Sequence, residues 1–203
     1  VHPGTYYENI NPNGKDVVIT SNFIIDQDSI YISQTIIDGG GNTSYSDTGV
    51  ITYDNGESKT SQLIGLTIQN GLSGISATNS SPILKNLIIQ TSYPGLNVRN
   101  NSTVTLENSI IKNNNTGIYI LSRGELIARD IIVHSNIRED ALGGAGLILY
   151  DNLNIKPTAR ISNSLFFNNT GTHSNSRSGA ITNWGGDLYL TNVTISGNTT
   201  NSS

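Results

Sequence analysis

Lys112 and His134 stand 22 residues apart, each directly after an apolar pair, Ile110-Ile111 and Ile132-Val133. A cation beside an imidazole is what β-elimination from a uronic acid needs, the cation to neutralise the carboxylate and the base to take the proton at C5. Both belong to one repeated phrase. The spacing therefore predicts that they project from the same face in successive turns of a repeat, about 4.8 Å apart. Phe167 and Ser196 continue the column and carry no matching chemistry. The alternative reading is two solvated exterior side chains between inward-facing Ile and Val.

A second constellation combines Arg138, Glu139 and Asp140 with His173, Asn175 and Arg177. Each triplet falls in an insertion relative to the shorter repeats, within Ile137 to Ala145 and Gly171 to Ser178, so the two loops are expected side by side. Loops on a rigid scaffold commonly carry binding, and mixed charges and amides suit sugar hydroxyls or an acidic glycan. Gly143, Gly144, Gly171 and Ser176 fit the other reading, solvated loops without a ligand. Trp184 is either a platform for stacking a sugar or a corner-packing residue. Asp26, Asp28, Asp38, Asp47 and Asp54 raise calcium, which takes clustered oxygen ligands. Their spacing matches neither an EF-hand nor a Gly-rich nonapeptide repeat, so the expectation is no cofactor, with calcium the one ion left open.

The elements that must hold these residues follow from a period. Gly65, Asn86, Asn108, Asp130, Asn163 and Asn192 occupy equivalent places in six copies of a short β-branched phrase, at steps of 21, 22, 22, 33 and 29 residues. A fixed period of this length built from Val, Ile and Thr runs between Gly, Asn, Asp and Ser signals a solenoid of strands. No window sustains a helical apolar period, so helices are not expected. A second ladder, Gly74-Ile75, Gly95-Leu96, Gly117-Ile118, Gly146-Leu147 and Gly179-Ala180, opens another strand in each repeat. A separate four-residue insertion is expected near Asp151 to Pro157. Asn114, Asn136, Asn169 and Asn198 predict a ladder of stacked side-chain amides at a tight corner.

Composition narrows the partners. The 203 residues are 35% hydrophobic, enough for one long thin core and a single domain over 1–203. A net charge of −4 offers no basic surface for nucleic acid. No stretch approaches the roughly 20 apolar residues of a membrane span. Cysteine is absent, so disulfides play no part.

The opening Val1-His2-Pro3-Gly4-Thr5-Tyr6-Tyr7-Glu8-Asn9-Ile10, then Thr35-Ile36-Ile37-Asp38-Gly39 and Asn79-Ser80-Ser81-Pro82-Ile83-Leu84-Lys85-Asn86, resemble secreted or cell-surface right-handed parallel β-helix proteins of Bacteroidota and related bacteria. The resemblance implies an all-β, pectin-lyase-like single-stranded parallel β-helix of about eight coils, and an extracellular location. The opening phrase is also similar to that of pectin methylesterases. The catalytic phrases of that family, of polygalacturonases and of pectate lyases have no counterpart here, and Glu8 reads as a structural acceptor near the first turn. Both ends look interrupted, which predicts a piece of a longer chain.

The expected function is a non-catalytic secreted or cell-surface scaffold, structural or adhesive, with glycan binding along a flat face or at the paired loops. A polysaccharide lyase using Lys112 and His134 is the alternative. A third reading is filament assembly, end to end, through uncapped solenoid edges.

Overall fold

The computed structural model describes residues 1–41, 49–141, 143–151, 154–176 and 178–201. They form a right-handed parallel β-helix whose coils stack their strands into three columns. The first column runs Val18–Thr20, Gln62–Ile64, Ile83–Lys85, Thr103–Glu107 and Glu125–Arg129. The second runs Gly4–Tyr7, Thr35–Asp38, Thr67–Gln69, Ile88–Gln90, Ile110–Lys112 and Ile132–His134. Both continue into the two halves of Thr158–Phe167 and Asp187–Ser196, which join them as one 13-stranded sheet. The third column is a six-stranded sheet of Gly49–Tyr53, Ser73–Thr78, Leu96–Arg99, Ile118–Leu121, Leu147–Tyr150 and Ile181–Trp184.

The repeated anchor is the bend between the first two columns. Gly65, Asn86, Asn108, Asp130, Asn163 and Asn192 all take φ between 49° and 70°, a left-handed conformation that Gly, Asn and Asp tolerate best. One such residue turns the chain without breaking the pairing on either side. The first anchor is Gly because Phe23 packs onto it: a Cβ at position 65 would lie 2.6 Å from Phe23 Cβ.

Parallel register stacks like on like. In the second column Ile37, Ile68, Ile89, Ile111, Val133 and Phe166 lie one above another inside the helix, each at most 2% exposed. Leu63, Leu84, Leu106, Ala128 and Ile161 do the same in the first column. Removing these side chains from water is the main stabilising term. In the last rung Ile195 continues the second-column stack at 48% exposure.

Three expectations change. A pair of short helices, α1 (Phe23–Asp26) and α2 (Ile30–Gln34), interrupts the early bend. They are too short for a periodic apolar face to show in sequence, and they are held by tertiary contacts such as Thr67 Oγ1 donating to the Ile32 carbonyl at 2.7 Å. The glycine ladder also slips by one at its last step, because Gly146 is level with Ala180 rather than Gly179. Built Cβ atoms on Gly74, Gly117 and Gly146 would each sit 2.6 Å from the next rung's carbonyl oxygen, which requires glycine. Ala180 directly precedes Ile181–Trp184, the edge strand of this sheet among the described residues. The insertion before it is thus one residue longer than the glycine count implies. The four-residue insertion lies where expected, between Tyr150 and Thr158. Glu8, expected as an acceptor, is exposed and instead gives its backbone amide to the Asp38 carbonyl at 3.1 Å.

The asparagine ladder forms the corner between the second and third columns. Nδ2 of Asn114 donates to Oδ1 of Asn136 at 3.0 Å, Asn136 to Asn169 at 2.8 Å, and Asn169 to Asn198 at 2.8 Å. The same nitrogens reach the carbonyls of Ile89, Ile111 and Val133. Ser92 takes the preceding rung: its amide donates to Asn114 Oδ1 at 3.0 Å, while its Oγ accepts from the Gly71 amide at 3.2 Å. At a neighbouring corner, the Gly14 amide donates to Glu57 at 2.8 Å and the Gly56 amide to Ser80 Oγ at 3.2 Å.

Candidate functional site

On the outer face of the second column the register places Asp38, Gln69, Gln90, Lys112, His134 and Phe167 in one line. Lys112 and His134 are direct neighbours, as the spacing predicts. Gln90 donates to Gln69 Oε1 at 2.8 Å and Gln69 to Asp38 Oδ2 at 2.7 Å, so the upstream half is a hydrogen-bonded relay ending on a carboxylate. The His134 ring stacks on Phe167 at 4.8 Å and 9°, and its Nδ1 shares a hydrogen bond with Ser135 Oγ at 3.0 Å. Partial burial, and secondarily the Lys112 charge, hold the imidazole below its usual pKa, which favours the neutral ring.

The paired loops do lie side by side. Ile137–Arg138 pairs in parallel with Thr170–Gly171, the Thr172 amide donates to the Arg138 carbonyl at 2.8 Å, and the Gly144 amide to the Ser178 carbonyl at 2.6 Å. Arg138, expected to face a ligand, is turned inward and 4% exposed. Its Nε and Nη2 donate to the two carboxylate oxygens of Asp140, each at 2.6 Å, and Nη1 donates to Thr116 Oγ1 at 2.5 Å. The guanidinium also lies 5.8 Å from the Tyr119 ring centre. A charge this deep is tolerated only when its donors are matched, and Asp140 folds back to match them. Arg138 and Asp140 therefore fasten the loop instead of presenting it.

His173 accepts the Asn175 amide on Nδ1 at 3.0 Å, closing a turn at the tip of the second loop. Arg177 and Asp47 lie outside the described residues. Trp184 is half-buried beside Tyr150 at the far end of its strand, away from the loops. The four described aspartates of the calcium set are used locally: Asp26 and Asp28 accept backbone amides, Asp38 binds Gln69 and Asn70, and Asp54 binds Asn11 and Asn55. Among the described residues no three acidic, His or Cys side chains gather to hold a metal, and no helix is long and apolar enough to cross a membrane.

A groove that sequence reading did not single out runs along the outside of the asparagine corner. Two hollows of about 350 and 320 Å³ share Asn113 and Asn115. Their walls are two columns set by the same register. One step past the Gln69–His134 line come Asn70, Thr91, Asn113 and Ser135, all at φ between 52° and 58°. Two steps further come Leu72, Tyr93, Asn115 and Ile137. Between the columns lies the inward ladder residue, which fixes the corner so that its neighbours project outward. Successive coils thus repeat a polar wall and a largely apolar one. Glu139, from the first paired loop, lines the second hollow, while Lys112 and His134 directly precede the wall residues Asn113 and Ser135. The signal that locates the groove in sequence is the ladder itself, read one residue to either side.

No curated protein and no solved structure matches the chain. The model of the family described as the right-handed β-helix region matches residues 48–203. Covering most of the chain and agreeing with the parallel columns described above, that match places the protein in the right-handed β-helix family.

Proposed function

We propose that the protein is a non-catalytic extracellular β-helix scaffold that holds a polysaccharide along the corner groove. The observation that carries this reading is the pair of columns, one of amides and hydroxyls and one containing Leu72, Tyr93 and Ile137, repeated once per coil. Sugars present hydroxyl edges and apolar faces, and a groove with one wall of each kind suits both. The coil rise of about 4.8 Å is close to the length one hexose adds to an extended chain, so a polymer along the axis meets an equivalent rung at each unit. Incubation with neutral and acidic polysaccharides, with and without calcium, tests the reading by chromatography. A polymer that stays intact and co-elutes with the protein supports it; shortened chains overturn the non-catalytic assignment.

A polysaccharide lyase is the second reading, favoured by the neighbouring Lys112 and a histidine held toward its neutral form. On that reading His134 takes the C5 proton while Lys112 neutralises the uronate carboxylate. Shortened uronate chains with unsaturated ends, lost in both His134→Ala and Lys112→Ala, are its signature.

A further inference from the structure

We infer that an acid-labile latch holds the first described coil: the carboxylates of Asp16, Asp54 and Glu57 fasten it to the second, and their protonation releases it while the later coils stay folded. The contacts gather at the corner between the third and first columns. Asn11 Nδ2 donates to Asp54 Oδ1 at 3.0 Å and the Gly14 amide to Glu57 Oε1 at 2.8 Å. The Ser58 amide and hydroxyl and the Thr60 hydroxyl all donate to Asp16, each at 2.7 Å. Glu57 reaches the third coil as well, since the Ser80 hydroxyl donates to its Oε2 at 2.8 Å. At later corners backbone amides donate to neutral side chains, among them Ser102, Ser109, Asn114, Asn136 and Asn169.

The first coil depends on these contacts because its own pairing is slight. It adds Gly4–Tyr7 and Val18–Thr20 to two columns, and to the third only the single bridge between Ile10 and Ile51. Its inward-facing Tyr6 and Ile19 are half-buried, whereas Ile37 and Leu63, which they cover, are at most 2% exposed. Asp38 and Glu107 also bridge coils, but those coils keep a strand in every column. Among the described residues no cation pairs with Asp16, Asp54 or Glu57, Lys15 and Lys59 included. The titratable group facing Glu57 is the Tyr53 phenol, which burial and then Glu57 itself hold in its neutral form. The Ser58 hydroxyl, then Thr60 and the Ser58 amide, hold the Asp16 carboxyl below its usual range. Burial raises Glu57, but the Gly14 amide, Ser80 and the Asn55 amide outweigh it. Both groups therefore stabilise the attached coil above the unfolded carboxylate pKa of about 4, and the contribution is lost as pH falls through the lower folded values.

The test is amide hydrogen exchange of the full chain at about pH 7 and about pH 3, expressed as protection factors that correct for the chemical rate at each pH. The amides of Glu8, Ile10 and Ser21 donate to carbonyls of the second coil, and those of Ile110, Ile132 and Leu165 join later coils. In acid the first three should lose protection about tenfold or more, and the other three should keep theirs. Asp16→Asn combined with Glu57→Gln should leave the first three weakly protected at both pH values, and Glu107→Gln should leave the wild-type fall in place. A loss shared by all six amides, or no loss, overturns the latch, as does a full acid fall in the double variant. Should the double variant not fold, Asp16→Asn alone, at an exposed site, decides: a smaller acid fall than in the wild type upholds the latch, and an unchanged one overturns it.

Discussion

Asn136 donates from Nδ2 to Asn169 Oδ1 at 2.8 Å, while its own Oδ1 accepts both the backbone amide and the Nδ2 of Asn114, each at 3.0 Å. The side chain is fully buried, so its loss strands groups on both neighbouring coils. Asn136→Ala should cost about 2 to 4 kcal/mol, since each buried polar group left unpaired costs about 1 to 3 kcal/mol. Asn198→Ala, at the half-buried last rung, should cost less. Chemical denaturation of the two variants checks the ranking, and equal losses would mean that the ladder does not act through burial.

The glycine column gives a sharper steric test. A Cβ on Gly117 would stand 2.6 Å from the Gly146 carbonyl oxygen and 2.9 Å from Val133 Cγ1. Gly117→Ala should therefore destabilise by about 3 kcal/mol, the upper range for overpacking. Ala180→Gly should cost only about 0.5 to 1 kcal/mol, from added freedom in the unfolded chain. Thermal unfolding separates the two, and a well-tolerated Gly117→Ala would show that the rungs can spread.

Acid should unfold the protein through two buried carboxylates. Burial raises the pKa of Glu57, but the amides of Gly14 and Asn55 and the Ser80 hydroxyl outweigh it and hold the group below the usual glutamate value. In Asp38 burial is likewise outweighed, by Gln69, the Gly40 amide and Asn70. A carboxylate whose folded pKa is depressed stabilises the fold above its unfolded pKa, and that contribution is lost as pH falls through the folded value. The melting temperature should be level near neutrality and drop below about pH 4. Glu57→Gln should flatten that decline, and an unchanged acid limb would exclude Glu57 as its source.

His134 should titrate below the usual histidine value of about 6.5, because burial and then Lys112 disfavour the charged ring. Lys112→Ala should raise the midpoint only partway, since burial against Phe167 remains. Imidazole shifts followed by NMR measure both. A midpoint that does not move in the variant assigns the whole depression to burial.

Much of this architecture is legible in the residues because the bends are chemically demanding. Asn86, Asn108 and their equivalents must sit at positive φ, few residue types do so without strain, and their recurrence reports the coil period directly. The amide ladder is legible for the same reason, since an asparagine at every step of a parallel stack brings each side-chain amide beside its own copy in the next coil. The helices at Phe23–Asp26 and Ile30–Gln34 are hidden because so short an element carries no period. Arg138 misleads because a loop cation reads as exposed, and nothing in its local sequence states that Asp140 will fold back on it. The groove escapes notice because its walls vary in type: Asn70, Thr91, Asn113 and Ser135 share a position and a backbone conformation but no consensus letter.

The hydrogen bonds that close the corners also bear on how the molecule ages. Asn13-Gly14, Asn55-Gly56 and Asn70-Gly71 are the dipeptides most prone to spontaneous deamidation, in which the glycine nitrogen attacks the asparagine side-chain carbonyl and closes a succinimide. Here all three glycine amides are already donated, to Glu57, Ser80 and Ser92, and the asparagines are fixed in coil geometry. In the folded protein the attacking nitrogen is occupied, so the reaction must wait for local opening, and the lifetime of an asparagine-rich surface becomes the lifetime of its fold.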